Sequence, residues 1–205
     1  MLAPRINGAL RRVPSGLVYV AGLLPLGLLV AGVASGSLGV DPVKAIEHRL
    51  GEVALQFLVA GLAVTPLRWA TGVSLLRFRR ALGLLAFFYA VLHLGVWLAL
   101  DLQFRWAEIG ADLLKRPYIT LGMLALAGMI PLALTSNAAA IRRLGAVAWA
   151  RLHRLTYAVA LLGALHFVLL VKAWPAEPLL YLGAVAALLG ARVVHRMGRS
   201  RRIMV

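Results

Sequence analysis

The chain has five histidines and no cysteine, and two of the histidines, His93 and His166, stand deep inside long apolar runs. Without thiolates, a redox centre must use nitrogen or thioether ligands or be held non-covalently, and cysteine-ligated iron–sulfur clusters are excluded. An ionisable side chain within hydrocarbon is costly and is functional by default. Two imidazoles on separate helices at one depth have the chemistry to hold a haem iron from opposite sides. His153 precedes His166 by thirteen positions, about 20 Å along a helix axis, so the two cannot share one iron. It points instead to a second centre near the other face. His48 and His195 lie among charged residues at the ends of apolar runs and read as solvated interfacial side chains.

The elements that must position these groups are membrane helices. Of 205 residues, 62% are hydrophobic, and the mean hydropathy is +0.88. The charges are grouped between long apolar runs instead of alternating with them. Six runs approach the roughly 17–25 residues needed to cross a hydrocarbon core: 16–35, 52–67, 81–100, 118–134, 152–171 and 179–194. The first follows Arg5, Arg11 and Arg12 as a signal peptide would, yet it is long and lacks a clear cleavage site, so it is expected to be a retained helix. The expectation is an all-α integral membrane protein with six transmembrane helices. Residues 1–205 form a single transmembrane haem-binding domain, with 1–15 and 195–205 as short basic tails.

Charge sets the orientation, because Lys and Arg are retained on the cytoplasmic side. Arg5, Arg11 and Arg12, then Arg68, Arg77, Arg79 and Arg80, then Arg142, Arg143, Arg151 and Arg154, and finally the arginines from Arg192 onward all fall on one side, without a single acid. The other side carries Lys44, Arg49, Arg105, Lys115, Arg116 and Lys172 together with all seven acids. Both termini are therefore expected to be cytoplasmic. The formal charge of +15 belongs to topology and anionic headgroups, not to nucleic acid.

Counting inward at about 1.5 Å per residue puts His93 roughly 18 Å and His166 roughly 21 Å from the cytoplasmic side. Phe87, Phe88, Tyr89, Trp97 and Phe167 surround the pair in sequence, and Gly83, Gly95, Gly122, Gly128 and Gly163 leave room for a macrocycle or for close helix packing. Arg49, Arg105, Arg116 or Lys172 are candidates to neutralise its propionates. His153 has no histidine partner at its own depth, where Arg79 and Arg80 stand on the third helix. Asp41, Glu47, Asp101, Glu108 and Asp112, on the two longest outer loops, form an expected docking surface on electrostatic grounds.

A set of segments carries a family resemblance: Thr65 to Arg68, Arg79 to His93, Lys115 to Thr120, Pro131 to Ser136, Trp149 to Tyr157 and Glu177 to Tyr181. Together they resemble the MsrQ (YedZ) family. These are haem-binding membrane subunits of bacterial periplasmic protein-methionine-sulfoxide reductase systems, grouped with the ferric-reductase-like transmembrane proteins. The resemblance implies that His93, His153 and His166 are haem-associated, with haem b and FMN as cofactors. It implies a bacterial inner-membrane location, electron input from the quinone pool or a cytosolic flavin reductase, and delivery to a periplasmic molybdopterin-containing MsrP-type catalytic subunit. The sulfoxide chemistry would lie on that partner. No glycine-rich phosphate loop marks a flavin site, and Arg77, Arg79, Arg80, Arg151 and Arg154 are the expected phosphate contacts.

Two other classes remain. A self-contained transmembrane ferric or quinone reductase would use the same histidine pair, but it would carry a nucleotide-binding domain, for which the tail after Arg192 is too short. A small transporter would place carboxylates near the midplane, often on helices broken within a repeat. Here acids are scarce at that depth, no repeat is visible, and Pro25 and Pro131 are the mid-helix breakers.

Overall fold

The computed structural model describes residues 2–171 and 175–203, with side chains described as far as Gly198. The helices are α1 (Ala3–Arg12), α2 (Ser15–Gly22), α3 (Leu24–Ala34), α4 (Pro42–Thr71), α5 (Arg79–Val96), α6 (Trp106–Lys115), α7 (Pro117–Leu134), α8 (Ala138–Leu152), α9 (Leu155–Leu170) and α10 (Ala176–Ile203). There is no strand among the described residues. Five segments are long and apolar enough to cross a membrane: Ser15–Ala34, Pro42–Thr71, Leu76–Asp101, Pro117–Leu134 and Ala176–Gly198. The pair α8 and α9, bent by 44° at their junction, supplies a sixth. The chain is an all-α, multi-pass membrane protein.

Each of the six apolar runs coincides to within one residue with part of one of these segments, and several helices outgrow them. The second run, expected over 52–67, is the middle of a 30-residue helix. Its first turns use residues that the sequence reading left as an outer loop. Asp41 caps them by accepting the Lys44 N–H at 3.0 Å, Pro42 opens the helix, and Gly72 closes it with φ 75°. The loop before His153 is likewise helical, as α8, with a kink at Gly145 (φ 74°).

The fold is organised around α4. Leu50, Val53 and Ala54 pack with Leu85 and Tyr89 of α5 and with Leu29 of α3. Leu55 and Leu62 pack with Ala160, Ala164 and Phe167 of α9 and with Val185 of α10. Leu58 meets Ala86, Met129 and Val159. The remaining major packing is α7 on α9, so α4, α5, α7 and α9 enclose the central space.

Prolines break the backbone hydrogen-bond ladder in a solvent that cannot repair it. Two of them show how the protein supplies the repair. Pro25 stands where the first span divides into α2 and α3. There the Tyr89 hydroxyl inserts into the ladder, donating to the Gly22 carbonyl at 2.7 Å and accepting the Leu26 N–H at 3.1 Å. Pro66 lies inside α4 and has no N–H for the Leu62 carbonyl. That carbonyl accepts from the Arg192 guanidinium, which also donates to the Leu188 carbonyl at 2.7 Å and lies over the Tyr157 ring. The arginine with which the last group of expected cytoplasmic charges begins is therefore a bridge between α10 and α4.

Replacing Arg192 with leucine should lower stability by about 1–3 kcal/mol, the cost of an orphaned polar group. In a Pro66→Ala background the loss should shrink, because residue 66 then supplies its own N–H to Leu62. Thermal unfolding of the two single variants and the double variant in one detergent measures this coupling, and equal losses in both backgrounds would refute it.

Candidate functional site

His93 on α5 and His166 on α9 face each other across the central space, with ring centroids 6.2 Å apart and ring planes at 80°. Each ring is oriented by the same device. His93 donates its Nδ1–H to the Glu47 carbonyl of α4 at 2.8 Å. His166 donates its Nδ1–H to the Tyr118 carbonyl of α7 at 2.6 Å. A carbonyl oxygen only accepts, so the proton is fixed on Nδ1 and Nε2 keeps its lone pair. This is the tautomer of a metal-ligating histidine with its second nitrogen tied down.

The room for each ring comes from a glycine four residues beyond the accepting carbonyl. A Cβ at Gly51 would stand 3.1 Å from His93 Nδ1, and one at Gly122 would stand 2.8 Å from His166 Nδ1. Glu47 and Gly51 on α4 thus repeat the arrangement of Tyr118 and Gly122 on α7. Sequence reasoning found Gly122 only as general space and missed Gly51 and both carbonyls. The available signal was the shared spacing, a glycine four positions after residue 47 and after residue 118.

The cavity containing the pair is lined by apolar side chains including Leu55, Leu58, Ala90, Trp97, Ile119 and Phe167, with Lys44, His48, Glu52 and Arg116 among its polar members. These residues fit a haem on three counts. Two imidazoles with unprotonated Nε2 atoms line one cavity, and their separation of 6.2 Å is close to what two metal–nitrogen bonds of about 2 Å require. A cation at the polar end suits carboxylates. Of the expected propionate partners, Arg116 lines this cavity while also holding Asp112 at 3.1 Å, and Arg49 and Arg105, paired with Glu52 at 2.7 Å and Glu108 at 2.8 Å, do not line it. Lys172 lies outside the described residues. Lys44, not singled out from sequence, is the second cation of the lining.

His153 sits in a different cavity of about 760 Å³ at the arginine-rich end. Arg79, Arg80 and Arg154 line it with Phe57, Phe87, Trp149 and Tyr157. The ring stacks on Trp149 with centroids 3.8 Å apart, and its Nε2 lies 3.0 Å from Thr135 Oγ1. Because Thr135 commits its own hydrogen to the Pro131 carbonyl at 2.6 Å, its oxygen accepts from Nε2–H of His153. The tautomer is thus opposite to that of the other two histidines. The expected phosphate contacts divide as well, since Arg77 donates to the Leu10 and Arg11 carbonyls of α1 and neither it nor Arg151 lines the cavity. Leu58 and Met129 line both cavities.

At the acid-bearing end, the expected docking charges are largely spent within the molecule. Lys44 bridges Glu47 at 3.1 Å and Asp101 at 2.7 Å, Arg49 holds Glu52, Arg105 holds Glu108, and Arg116 holds Asp112 at 3.1 Å. Neutralised pairs give little long-range steering, so the electrostatic argument for docking there loses its basis. His48 and His195 are both exposed, with His48 edge-on to Phe167 and His195 stacked on Trp69.

Comparison with known proteins agrees with this geometry. Residues 49–164 match the model of the family described as ferric reductase like transmembrane component. The proteins of Brucella anthropi, Brucella ovis and Brucella suis named protein-methionine-sulfoxide reductase heme-binding subunit MsrQ are each 48% identical over 186 residues, covering 91% of this chain and 84% of the relative.

Gly122→Ala should drive His166 off its carbonyl and convert haem-loaded protein from a low-spin to a high-spin or haem-poor spectrum. Gly51→Ala, with a looser contact, should do so less completely. Gly83→Ala and Gly95→Ala, whose added Cβ would meet nothing within 4 Å, should leave the absorption bands in place.

Proposed function

This chain belongs to the ferric-reductase-like transmembrane proteins and, within them, to the MsrQ haem-binding subunits, and from that membership we propose that it carries electrons across the bacterial inner membrane for protein-methionine-sulfoxide reduction. The observation that carries this reading is the pair of imidazoles with centroids 6.2 Å apart, each with its Nδ1–H spent on a helix carbonyl. His93 and His166 would supply the two axial nitrogens of a haem b. Such a group adds reversible one-electron chemistry to a layer that otherwise insulates.

The chain's own contribution is to hold, tune and insulate. The two carbonyls make both ligands more basic and fix their ring planes. The apolar walls, from Leu55 and Leu58 to Trp97 and Phe167, would limit water around a bound haem. Arg116 and Lys44 stand where propionate charge needs a partner. At the other end, Arg79, Arg80 and Arg154 are the groups suited to an FMN phosphate, and the aromatic walls of the same cavity suit a flat ring. His153 belongs to that second centre. To ligate a metal through Nε2 it would have to release Thr135, so contact with a cofactor through its bare Nδ1 is the less costly role.

With both termini cytoplasmic, the arginine-rich end receives electrons from the quinone pool or a cytosolic flavin reductase. The acid-bearing end then faces the periplasm, where a molybdopterin-containing MsrP-type subunit accepts them and performs the sulfoxide chemistry. Nothing in the geometry favours a self-contained reductase over this reading.

The test is the visible spectrum of detergent-purified protein, oxidised and reduced, beside three variants. His93→Ala and His166→Ala should each abolish the low-spin b-type bands, whereas His153→Ala should retain them. A colourless wild type that also resists haem reconstitution would overturn the reading. In addition, ring planes at 80° should give the ferric protein a highly anisotropic low-spin electron paramagnetic resonance signal. A rhombic signal typical of parallel imidazoles would show that the rings turn on binding.

A further inference from the structure

Beside the histidine pair, but not part of it, His48 and Glu52 of α4 converge with Glu177 of α10, and one ligand atom from each lies within 4.8 Å of the others. We propose that these three residues form a binding site for a divalent first-row transition ion at the acid-bearing end of the molecule.

The local sequence supplies the first two ligands. Residues 48 and 52 are one helical turn apart and share a face of α4. The third arrives because α10 is fastened to the same face one turn further on. Tyr181, four residues after Glu177, donates its hydroxyl to Glu52 Oε1 at 3.2 Å and accepts from Gln56 Nε2 at 2.9 Å. Gln56 donates to Glu52 Oε1 at 2.6 Å as well, and Arg49 donates to Glu52 Oε2 at 2.7 Å.

Three donors therefore fix the Glu52 carboxylate, two on Oε1 and one on Oε2, and Oε2 still has a lone pair to offer. The His48 ring is set edge-on to Phe167 at 5.3 Å. These are the contacts that orient a ligand before the metal arrives. The cluster brings two carboxylates close together, and among the described residues Arg49 is the guanidinium bonded to Glu52. A bound ion relieves that repulsion.

One imidazole and two carboxylates form a mixed nitrogen and oxygen set that suits zinc, manganese or ferrous iron, with positions left for water. His48 and Glu52 also line the cavity of His93 and His166. An ion held there adds positive charge at the lip of that cavity.

The probe is zinc, titrated against a chromophoric chelator into detergent-purified full-length protein that carries no affinity histidines. Wild type should take up one equivalent. His48→Ala and Glu177→Gln should each weaken uptake at least tenfold, and Tyr181→Phe, which removes only an orienting contact, by about tenfold. Glu108→Gln, an acid at the same end but outside the cluster, should match wild type. No uptake by wild type, or equal uptake by His48→Ala and Glu177→Gln, would overturn the site. The readout is independent of haem. Zinc uptake by a protein that cannot bind haem would defeat the electron-carrier reading alone, and absence of uptake by haem-loaded protein would defeat this inference alone.

Discussion

The hydrogen bonds from two imidazole Nδ1–H groups to the carbonyls of Glu47 and Tyr118 are the interaction on which the rest of the site depends. They leave both Nε2 atoms without a proton, and they set the ring planes nearly perpendicular. An imidazole held the other way would present a proton to a metal. The same bonds satisfy polar groups that a bilayer cannot solvate, so the orientation that serves ligation is also the one that burial demands. Glycine at positions 51 and 122 is the steric condition for both.

The demand for internal partners explains much of the remaining architecture. Pro66 removes a donor from α4, and Arg192 replaces it from α10. The first span divides beside Pro25, and Tyr89 fills the gap with its hydroxyl. These repairs cross between helices, so each fastens one helix to another while closing a local defect. Rigidity of this kind matters for an electron carrier, because a fixed environment minimises the reorganisation that accompanies each change of charge.

The two ends of the molecule divide the electrostatics. Arg79, Arg80 and Arg154, which form no ion pair among the described residues, line the cavity that holds His153, so that end is disposed towards anionic groups such as phosphate or lipid headgroups. At the other end, acids and bases neutralise one another in ion pairs that join α4 to the end of the third span and stabilise the turns around α6. The side chains of Leu58 and Met129 line both cavities.

Much of this was legible in the sequence, because apolar run length and charge grouping report directly on the solvent that each residue must occupy. The six runs, the grouping of charge and the equal depth of His93 and His166 all follow from counting residues along single helices, where a rise of about 1.5 Å per residue makes position a matter of arithmetic. Tertiary structure decided whatever depends on which helices are neighbours and how each is rotated about its axis. A backbone carbonyl carries no residue identity, so the acceptors at Glu47 and Tyr118 were invisible, and Gly51 looked like any other glycine. Arg192 reads as one of the expected cytoplasmic charges until α10 is set against the proline of α4. The opposite tautomer of His153 and the internal pairing of the acids likewise exist only once Thr135, Lys44 and their partners are brought together across the bundle.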